Sequence, residues 1–546
     1  MKIIINTIRN GIIENKIKWL LVVFFALITL AVSWSSDDAY HAYIMAKNLV
    51  DGNGFVYNVG YRVTASTCPL FTILTAGVYA LLGCKWMYFA GIILGVICST
   101  LAIYMLVFKI CKTDIISFLS LCILLGCYCF MSYTTAGLEN SLLFFLSTVF
   151  IVVFTSNEDF SSKELLLLAF TLSLLAMTRM DSVLLFIPAI CIGYLFYSKV
   201  RFINKILLGI VGLLPFIAWE VFSIIYYGYP FPNTMYVKLN TGFPKSDYIV
   251  RGIDYIYRSS LLDILLIVIP IFYFILSIYW KNKKMLTFSI GCILYIAYVI
   301  YVGGDFMVGR HLTTPFFVSF IGLILLFNSR EETHNPTISL KKTLIVFIVL
   351  QSICATCIRP IAKEFLYEVK WNPSKTGVAD ERDWYYGWTG LIPYVSSMIQ
   401  GDNSMEDFLD DSGVYDIFVD KRKNGILGSC ELELVPGIVN YYVQREGTIY
   451  LSDKYGLMDP LLSHLPARYD ENWRVGHMWR EIPEGYSKSV ATGTNQIVNE
   501  SLHEYYDKVL LIIKGDIWDK ERLITIIKMN LGQYDYLIEN YYNSIG

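Results

Sequence analysis

The sequence predicts a multi-pass, all-α membrane protein of about eleven transmembrane helices, with a C-terminal soluble α/β domain outside the cytoplasm. Three observations predict it. Apolar residues make up 55% of the chain and charged residues 16%, against about 45–50% and about 25% in soluble domains. Apolar runs recur through the first two thirds of the chain. Lys and Arg gather at alternate junctions between those runs.

The runs lie at 18–35, 87–108, 115–131, 140–155, 164–178, 182–197, 206–225, 261–280, 285–302, 313–328 and 343–358. A spanning helix takes roughly 17–25 apolar residues, so the shorter runs imply polar ends sunk into the protein. The N-terminal segment carries Lys2, Arg9, Lys16 and Lys18. The even-numbered junctions carry Lys109 with Lys112, Lys163, Lys199 with Arg201 and Lys205, Lys281 with Lys283 and Lys284, and Arg330 with Lys341 and Lys342. All are cytoplasmic if the N-terminus is inside, which places residues 359–546 outside. The apolar segment 69–83 breaks this alternation if counted, so it reads as a helix lying on the outer surface or dipping into it. As a twelfth span it would reverse everything after it. The basic start and Ala31-Val32-Ser33 also fit a signal peptide, but the residues just beyond look functional, which favours retention.

The chain thus divides into a transmembrane domain, 1–358, whose first outer loop is 36–86, and a C-terminal extracytoplasmic domain, 359–546. The latter returns to soluble composition, with stretches 431–451 and 509–514 strand-like and 502–508 and 518–530 helical. Localisation follows as a multi-pass inner (plasma) membrane protein. A net charge of −2 argues against a nucleic-acid partner, which calls for a basic surface. The histidines and cysteines form no metal-binding spacing. Cys430, alone in the C-terminal part, can form no internal disulfide there.

The orientation rests on Lys and Arg alone, yet it puts every other unusual polar cluster on one face. These are Asp37-Asp38 after span 1, Gly137 to Asn140 between spans 3 and 4, and Thr178 to Asp181 between spans 5 and 6. The remaining two are Tyr227 to Lys238 after span 7 and Gly303 to His311 between spans 9 and 10. Ionisable groups near hydrocarbon tend to mark function. Each cluster has a plainer reading: a solvated loop, Glu139 favoured by a helix dipole, an Arg179–Asp181 ion pair, turn residues at Pro230, Pro232 and Asn233. Those readings do not explain why all five share one side, so the sequence predicts one polar cavity at the outer membrane surface.

The stretch from Asp37 to Phe71, DDAYHAYIMAKNLVDGNGFVYNVGYRVTASTCPLF, resembles the first outer loop of the GT-C superfamily of glycosyltransferases, especially the mycobacterial terminal arabinofuranosyltransferase family. Gly-Leu-Glu at 137–139, Thr-Arg-x-Asp at 178–181, Pro-Asn-Thr at 232–234 and Gly-Gly-Asp-Phe-Met-x-Gly-Arg at 303–310 follow in the same order. Asp380-Glu381-Arg382, Gly456 to Leu462 and Gly476-His477 extend the resemblance over nearly the whole chain. Met180 replaces an expected Pro and Cys68 an expected Ser.

The resemblance implies a membrane glycosyltransferase that moves a sugar, arabinofuranose among the options, from a polyprenyl-phosphate donor to a cell-envelope glycan. It implies Asp37 as general base, with Asp38 as the alternative. Arg310 and His311, then Arg179 and Lys238, would face the donor phosphate. Glu139, Asp181, Asp305 and Asn233 would bind sugar hydroxyls or hold the cations, and Asp380, Glu381, Arg382 and His477 would face the acceptor. The many acids leave a divalent cation open without specifying one. Residues 39–50 would form a short helix beside the base, and 69–83 would guide the prenyl chain. A protein acceptor such as a pilin is the alternative within this class. A transporter, the rival outside it, calls for internal repeats and midplane sites that the sequence does not display. A receptor or scaffold would leave Asp37, Glu139 and Asp305 without a shared purpose.

Overall fold

Each of the eleven apolar runs folds as helix, because a chain surrounded by lipid must satisfy its backbone within the segment. The computed structural model describes residues 15–83, 87–331, 339–364, 377–400, 430–432, 437–438, 440–441, 451–471 and 473–545. Among these, five helical stretches are long and apolar enough to cross a membrane: Met87–Ile110, Phe202–Tyr227, Lys283–Tyr301, Arg310–Arg330 and Leu340–Glu364. A sixth arises if the bent pair Lys245–Leu262 and Leu265–Tyr279 forms one span. The expected eleven spans are therefore not met by helix length and composition. Pro69–Leu82, Asp114–Gly126, Asn140–Thr155 and Ile187–Phe196 are apolar but short. The backbone turns extended at Thr113 and Cys127, which bound the second, and Phe186 divides a 3₁₀ turn from the fourth.

Local chemistry sets the helix ends. Ser161 and Glu164 form a capping box at the start of Ser162–Thr178, and the Asn282 side chain accepts from the Met285 amide at 3.1 Å to start Lys283–Tyr301. Each satisfies a backbone donor that the first helical turn leaves open. Helix 202–227 carries Pro215, which has no amide to donate. The Phe216 amide turns to Ser173 Oγ at 2.8 Å, clamping this helix to its neighbour Ser162–Thr178.

The helix beginning at Arg310 is the centre of the bundle, with 89% of its apolar window buried, whereas Phe202–Tyr227 has only 11% buried and forms the rim. Its outward Phe202, Ile203, Leu207 and Val211 are the face that lipid would cover. In the interior, Phe130 stacks with Phe144 and Phe317 at 4.8 and 5.3 Å between centroids. Buried cysteines such as Cys127, Cys129 and Cys292 fill the core as small hydrophobes. The bent pair turns by 103° at Asp263, which is fully buried. Its carboxylate accepts from the Cys129 amide at 2.6 Å and pairs with Arg359.

The C-terminal part departs from the expected α/β domain. Its described residues form helices Glu381–Thr389, Leu391–Gln400, Tyr486–Thr492, Glu500–Lys514, Lys520–Asn530 and Asp535–Ile545. The regular strands among them are three residues each, Cys430–Leu432 pairing in parallel with Leu451–Asp453. Residues 509–514, expected as a strand, continue the helix from Glu500. Leu502, Tyr505, Tyr506, Val509, Ile512 and Ile513 share its buried face, so a short apolar run that looked strand-like completes a helical stripe. Most of 433–450 lies outside the described residues. The helix expected at 39–50 runs Asp37–Val50, and the segment expected at 69–83 is the helix Pro69–Leu82.

Two buried arginines tie this part to the rest of the chain, one to the end of helix Phe202–Tyr227 and the other to the short helix Asn233–Leu239. Arg522 donates to the Ile225 and Tyr226 carbonyls at 2.8 and 3.0 Å. Arg480 donates to the Val237 carbonyl at 2.7 Å.

Candidate functional site

The loop between helices 283–301 and 313–331 positions the central charges. Gly304 holds a φ of +75°, and a Cβ there would collide with the ring and Cβ of Tyr255. Only glycine combines that conformation with that approach. The Ala379 amide donates to the Phe306 carbonyl at 2.8 Å and the Val308 amide to the Ala379 carbonyl at 3.0 Å, so the C-terminal part braces the loop.

Four of the five predicted clusters meet in one ion-pair network. Arg310 Nη1 lies 2.9 Å from Asp38 Oδ2 and 3.7 Å from Asp305 Oδ2, while its Nη2 lies 3.2 Å from Glu139 Oε1. Arg179 donates to the same Glu139 oxygen at 2.8 Å and forks onto both oxygens of Asp181 at 3.0 and 2.6 Å. His311 Nε2 stands 3.3 Å from Asp305 Oδ2. Asn140 Nδ2 fixes the Arg310 carbonyl at 3.1 Å. Bidentate guanidinium–carboxylate geometry confers both strength and orientation. Burial alone would raise the Glu139 carboxyl, but Arg310 and Arg179 outweigh it and hold it down to about 2. For Asp305, burial is likewise outweighed, by His311, Arg310 and Lys238, and it stays below the usual carboxylate range.

Asp37 and Asp38 open the helix Asp37–Val50, where the helix dipole favours a carboxylate. The Ser36 amide donates to the Ala136 carbonyl at 2.9 Å, anchoring this start to the loop that carries Glu139. The two acids then diverge. Asp38 joins Arg310. Asp37 instead accepts from two amides of the C-terminal part, Gly437 on Oδ2 at 2.7 Å and Ile438 on Oδ1 at 3.0 Å. Burial pushes the Asp37 carboxyl up to about 7 against the pull of those two amides, with the neighbouring Asp38 charge adding to the rise. Each Asp37 oxygen keeps a second lone pair.

Asp37, Asp38 and His41 bring three potential ligand atoms within 4.8 Å of one another. Burial holds His41 down to about 4, hence neutral, as a ligand requires. The carboxylate oxygens already accept from Gly437, Ile438 and Arg310, however, so a cation there would have to displace those partners.

A cleft of about 200 Å³ adjoins this network. Arg179, Asp181 and His311 line it from the network side, joined by Lys238 and Lys245. Phe216, Trp219, Pro230 and Met235 supply an apolar wall. Lys238 is exposed to the cleft while protein encloses it, and that enclosure lowers its amine from the usual range despite Asp305. It makes no ion pair among the described residues. Glu220 also lines the cleft, and its Oε1 has no hydrogen-bond partner among the described residues.

Other predicted residues do different work. Arg310, foremost among the expected phosphate ligands, is buried behind the cleft wall and engaged by three carboxylates. Asn233 donates to the Asp459 carbonyl at 3.0 Å, a link that stitches two loops together. Asp380 accepts from Tyr128 Oη at 2.7 Å and from the Asp383 amide, capping the helix after it. Arg382 donates to the Val32 carbonyl at 2.9 Å. Glu381 is buried near enough for its charge to act on Asp37. His477 packs edge-on against Phe306 at 4.6 Å, and burial holds it down to about 3. The Asp263–Arg359 pair, Lys245 and Glu220 escaped the sequence reading. Arg359 flanks the run 343–358 and Asp263 lies just inside the run 261–280, which was the available signal. Glu220, a lone acid inside a run, was another.

Comparison with protein-family models, with curated proteins and with solved structures finds no match for this chain.

Proposed function

We propose that this chain is a membrane glycosyltransferase. It transfers a sugar from a polyprenyl-phosphate donor to a cell-envelope glycan on the outer face of the membrane. The observation that carries this reading is the cleft: one wall is apolar, the other carries Arg179, Lys238, Lys245 and His311 beside the acids Asp181 and Glu220, and Lys238 has no ion pair there among the described residues. A lipid-linked sugar phosphate has that same division between hydrocarbon and anion.

In the proposed reaction an acceptor hydroxyl attacks the anomeric carbon and gives its proton to an Asp37 oxygen. The bond from that carbon to the phosphate oxygen breaks, and its electron pair stays on the phosphate. Lys238, Arg179 and His311 receive the growing negative charge. Arg310 serves from behind, holding Asp38, Glu139 and Asp305 in register. A carboxyl poised near pH 7 is well matched to general-base work, which supports Asp37 over Asp38.

The topology belongs to the same proposal: N-terminus inside, residues 359–546 outside, the shorter apolar helices crossing with their polar ends sunk into the protein, all in the inner membrane. The Lys and Arg distribution supports it. Membranes containing the protein, given labelled polyprenyl-phospho-sugars, should transfer label to an endogenous glycan, and the Asp37→Asn protein should not. Failure with every donor of a broad panel, in folded protein, would overturn the reading. So would label appearing only on an exported protein, which would favour the protein-acceptor alternative.

A further inference from the structure

The helix Leu391–Gln400, LIPYVSSMIQ, carries no charged residue and has two distinct sides. At the helical repeat, Tyr394, Met398, Leu391, Val395, Ile399 and Ile392 share one side, and Ser396, Ser397 and Gln400 share the other. One edge of the apolar side docks on protein. Tyr394 stacks on Tyr88 at 4.2 Å between centroids and meets Phe89 edge-on at 5.9 Å. Toward its other edge and its C-terminal end the same side is open: Ile392 is 60% exposed, Met398 52% and Ile399 80%. A lone exposed apolar side chain is ordinary on a protein surface. Several on one side of a short helix form a patch that calls for a partner.

The helix is pinned where two apolar helices end. Residues 389–391 run beside 33–35, just past the helix Lys16–Ala31. The Ser35 amide donates to the Thr389 carbonyl at 3.2 Å, and the Leu391 amide to the Ser33 carbonyl at 2.8 Å. Tyr88 Oη donates to the Thr389 carbonyl at 2.8 Å, and Tyr88 stands at the start of the candidate span Met87–Ile110. Both anchor points lie where an apolar helix would meet the membrane surface, whichever way that surface faces. Leu27 and Leu30, near the end of Lys16–Ala31, are themselves exposed. The open side of 391–400 thus begins where a flank that lipid would cover ends. The preceding helix Glu381–Thr389 adds the half-buried Trp384 and Trp388, their rings 6.1 Å apart, and Trp is enriched at the membrane–water boundary.

We infer that Leu391–Gln400 lies in the membrane boundary, with Ile392, Met398 and Ile399 among lipid acyl chains, and anchors the C-terminal part to the bilayer surface. Continuity with the lipid-facing flank selects lipid over a second copy of this chain. The helix offers no cation to an anionic headgroup, so the contact is with hydrocarbon. The inference stands whether or not the chain is a transferase.

The test uses the full-length protein in nanodiscs of phosphatidylcholine radiolabelled in its acyl chains. A photo-crosslinking residue is placed on the open side, Ile392→p-benzoylphenylalanine or Ile399→p-benzoylphenylalanine, and on the polar side, Gln400→p-benzoylphenylalanine. Both open-side variants should take up label on irradiation, the Gln400 variant at least about fivefold less, and all should keep the wild-type unfolding temperature. Replacing part of the lipid by phosphatidylglycerol should leave the yield within about twofold, because no basic residue on the helix attracts it. No lipid adduct at 392 and 399, equal labelling at 400, adducts to a second protein chain in place of lipid, or labelling only with the anionic lipid would each overturn the inference.

Discussion

The guanidinium groups of Arg179 and Arg310 close on a single oxygen, Glu139 Oε1, at 2.8 and 3.2 Å. Two cations drawn that close need the shared charge between them. Glu139→Gln removes it and leaves both arginines buried and short of one counter-ion. Breaking a buried ion pair from one side costs about 3–5 kcal/mol. Thermal unfolding in detergent should show a markedly lower midpoint than wild type. A midpoint within a degree or two would mean that Asp38, Asp181 and Asp305 alone suffice.

Asp37→Asn should reduce turnover by about 10²–10⁴-fold, the usual range for loss of a general base, with donor binding intact. Asp38→Asn should act differently, because it frees one Arg310 nitrogen: folding and donor affinity should suffer more than chemistry. Single-turnover rates and donor binding, measured on both variants, distinguish the two. Normal chemistry in Asp37→Asn with a dead Asp38→Asn would exchange the roles.

A base must be ionised to act. With its carboxyl at about 7, Asp37 is protonated and inactive in acid, so turnover should rise with pH and level off above neutrality. A profile measured from pH 5 to 9 should place that limb near 7. A limb near 4 would point instead to an ordinary carboxylate.

Lys238→Met removes the cation that has no ion pair among the described residues while keeping an unbranched side chain one atom shorter. A hydrogen bond to a charged group contributes about 1.5–3 kcal/mol, so affinity for a short-chain polyprenyl phosphate should fall by roughly 10- to 100-fold. Unfolding temperature without ligand should stay the same or rise slightly. Competition against a labelled polyprenyl phosphate measures it, and unchanged affinity would remove Lys238 from the site.

Much of the site could be read in advance because its members are charged residues set at the ends of apolar runs. Asp38, Glu139, Arg179, Asp181, Asp305, Arg310 and His311 stood out for that reason, and the ion pairs join them. Their division of labour could not be read. Arg310 looked like a phosphate ligand because Arg suits phosphate, but only three-dimensional packing reveals three carboxylates around it. Residues 509–514 illustrate the other limit, since VLLIIK fits a strand until Leu502 and Tyr505 extend its stripe backwards along a helix. The span count failed for a related reason: hydropathy marks where a run is apolar, whereas Cys127, Phe186 and Asp263 decide where a helix stops.

The hydrogen bonds from Gly437 and Ile438 to Asp37 span 400 and 401 positions of sequence. During synthesis the helix bearing Asp37 leaves the ribosome long before residue 437 exists. The carboxylate therefore waits without these partners while the intervening helices are inserted. If the C-terminal part lies outside, it receives them only after that part has been exported and has folded back. A truncated or stalled chain would keep the ion-pair network around Arg310 but lack the two amides that hold the Asp37 carboxylate, so that carboxylate is set in place only when the chain is whole.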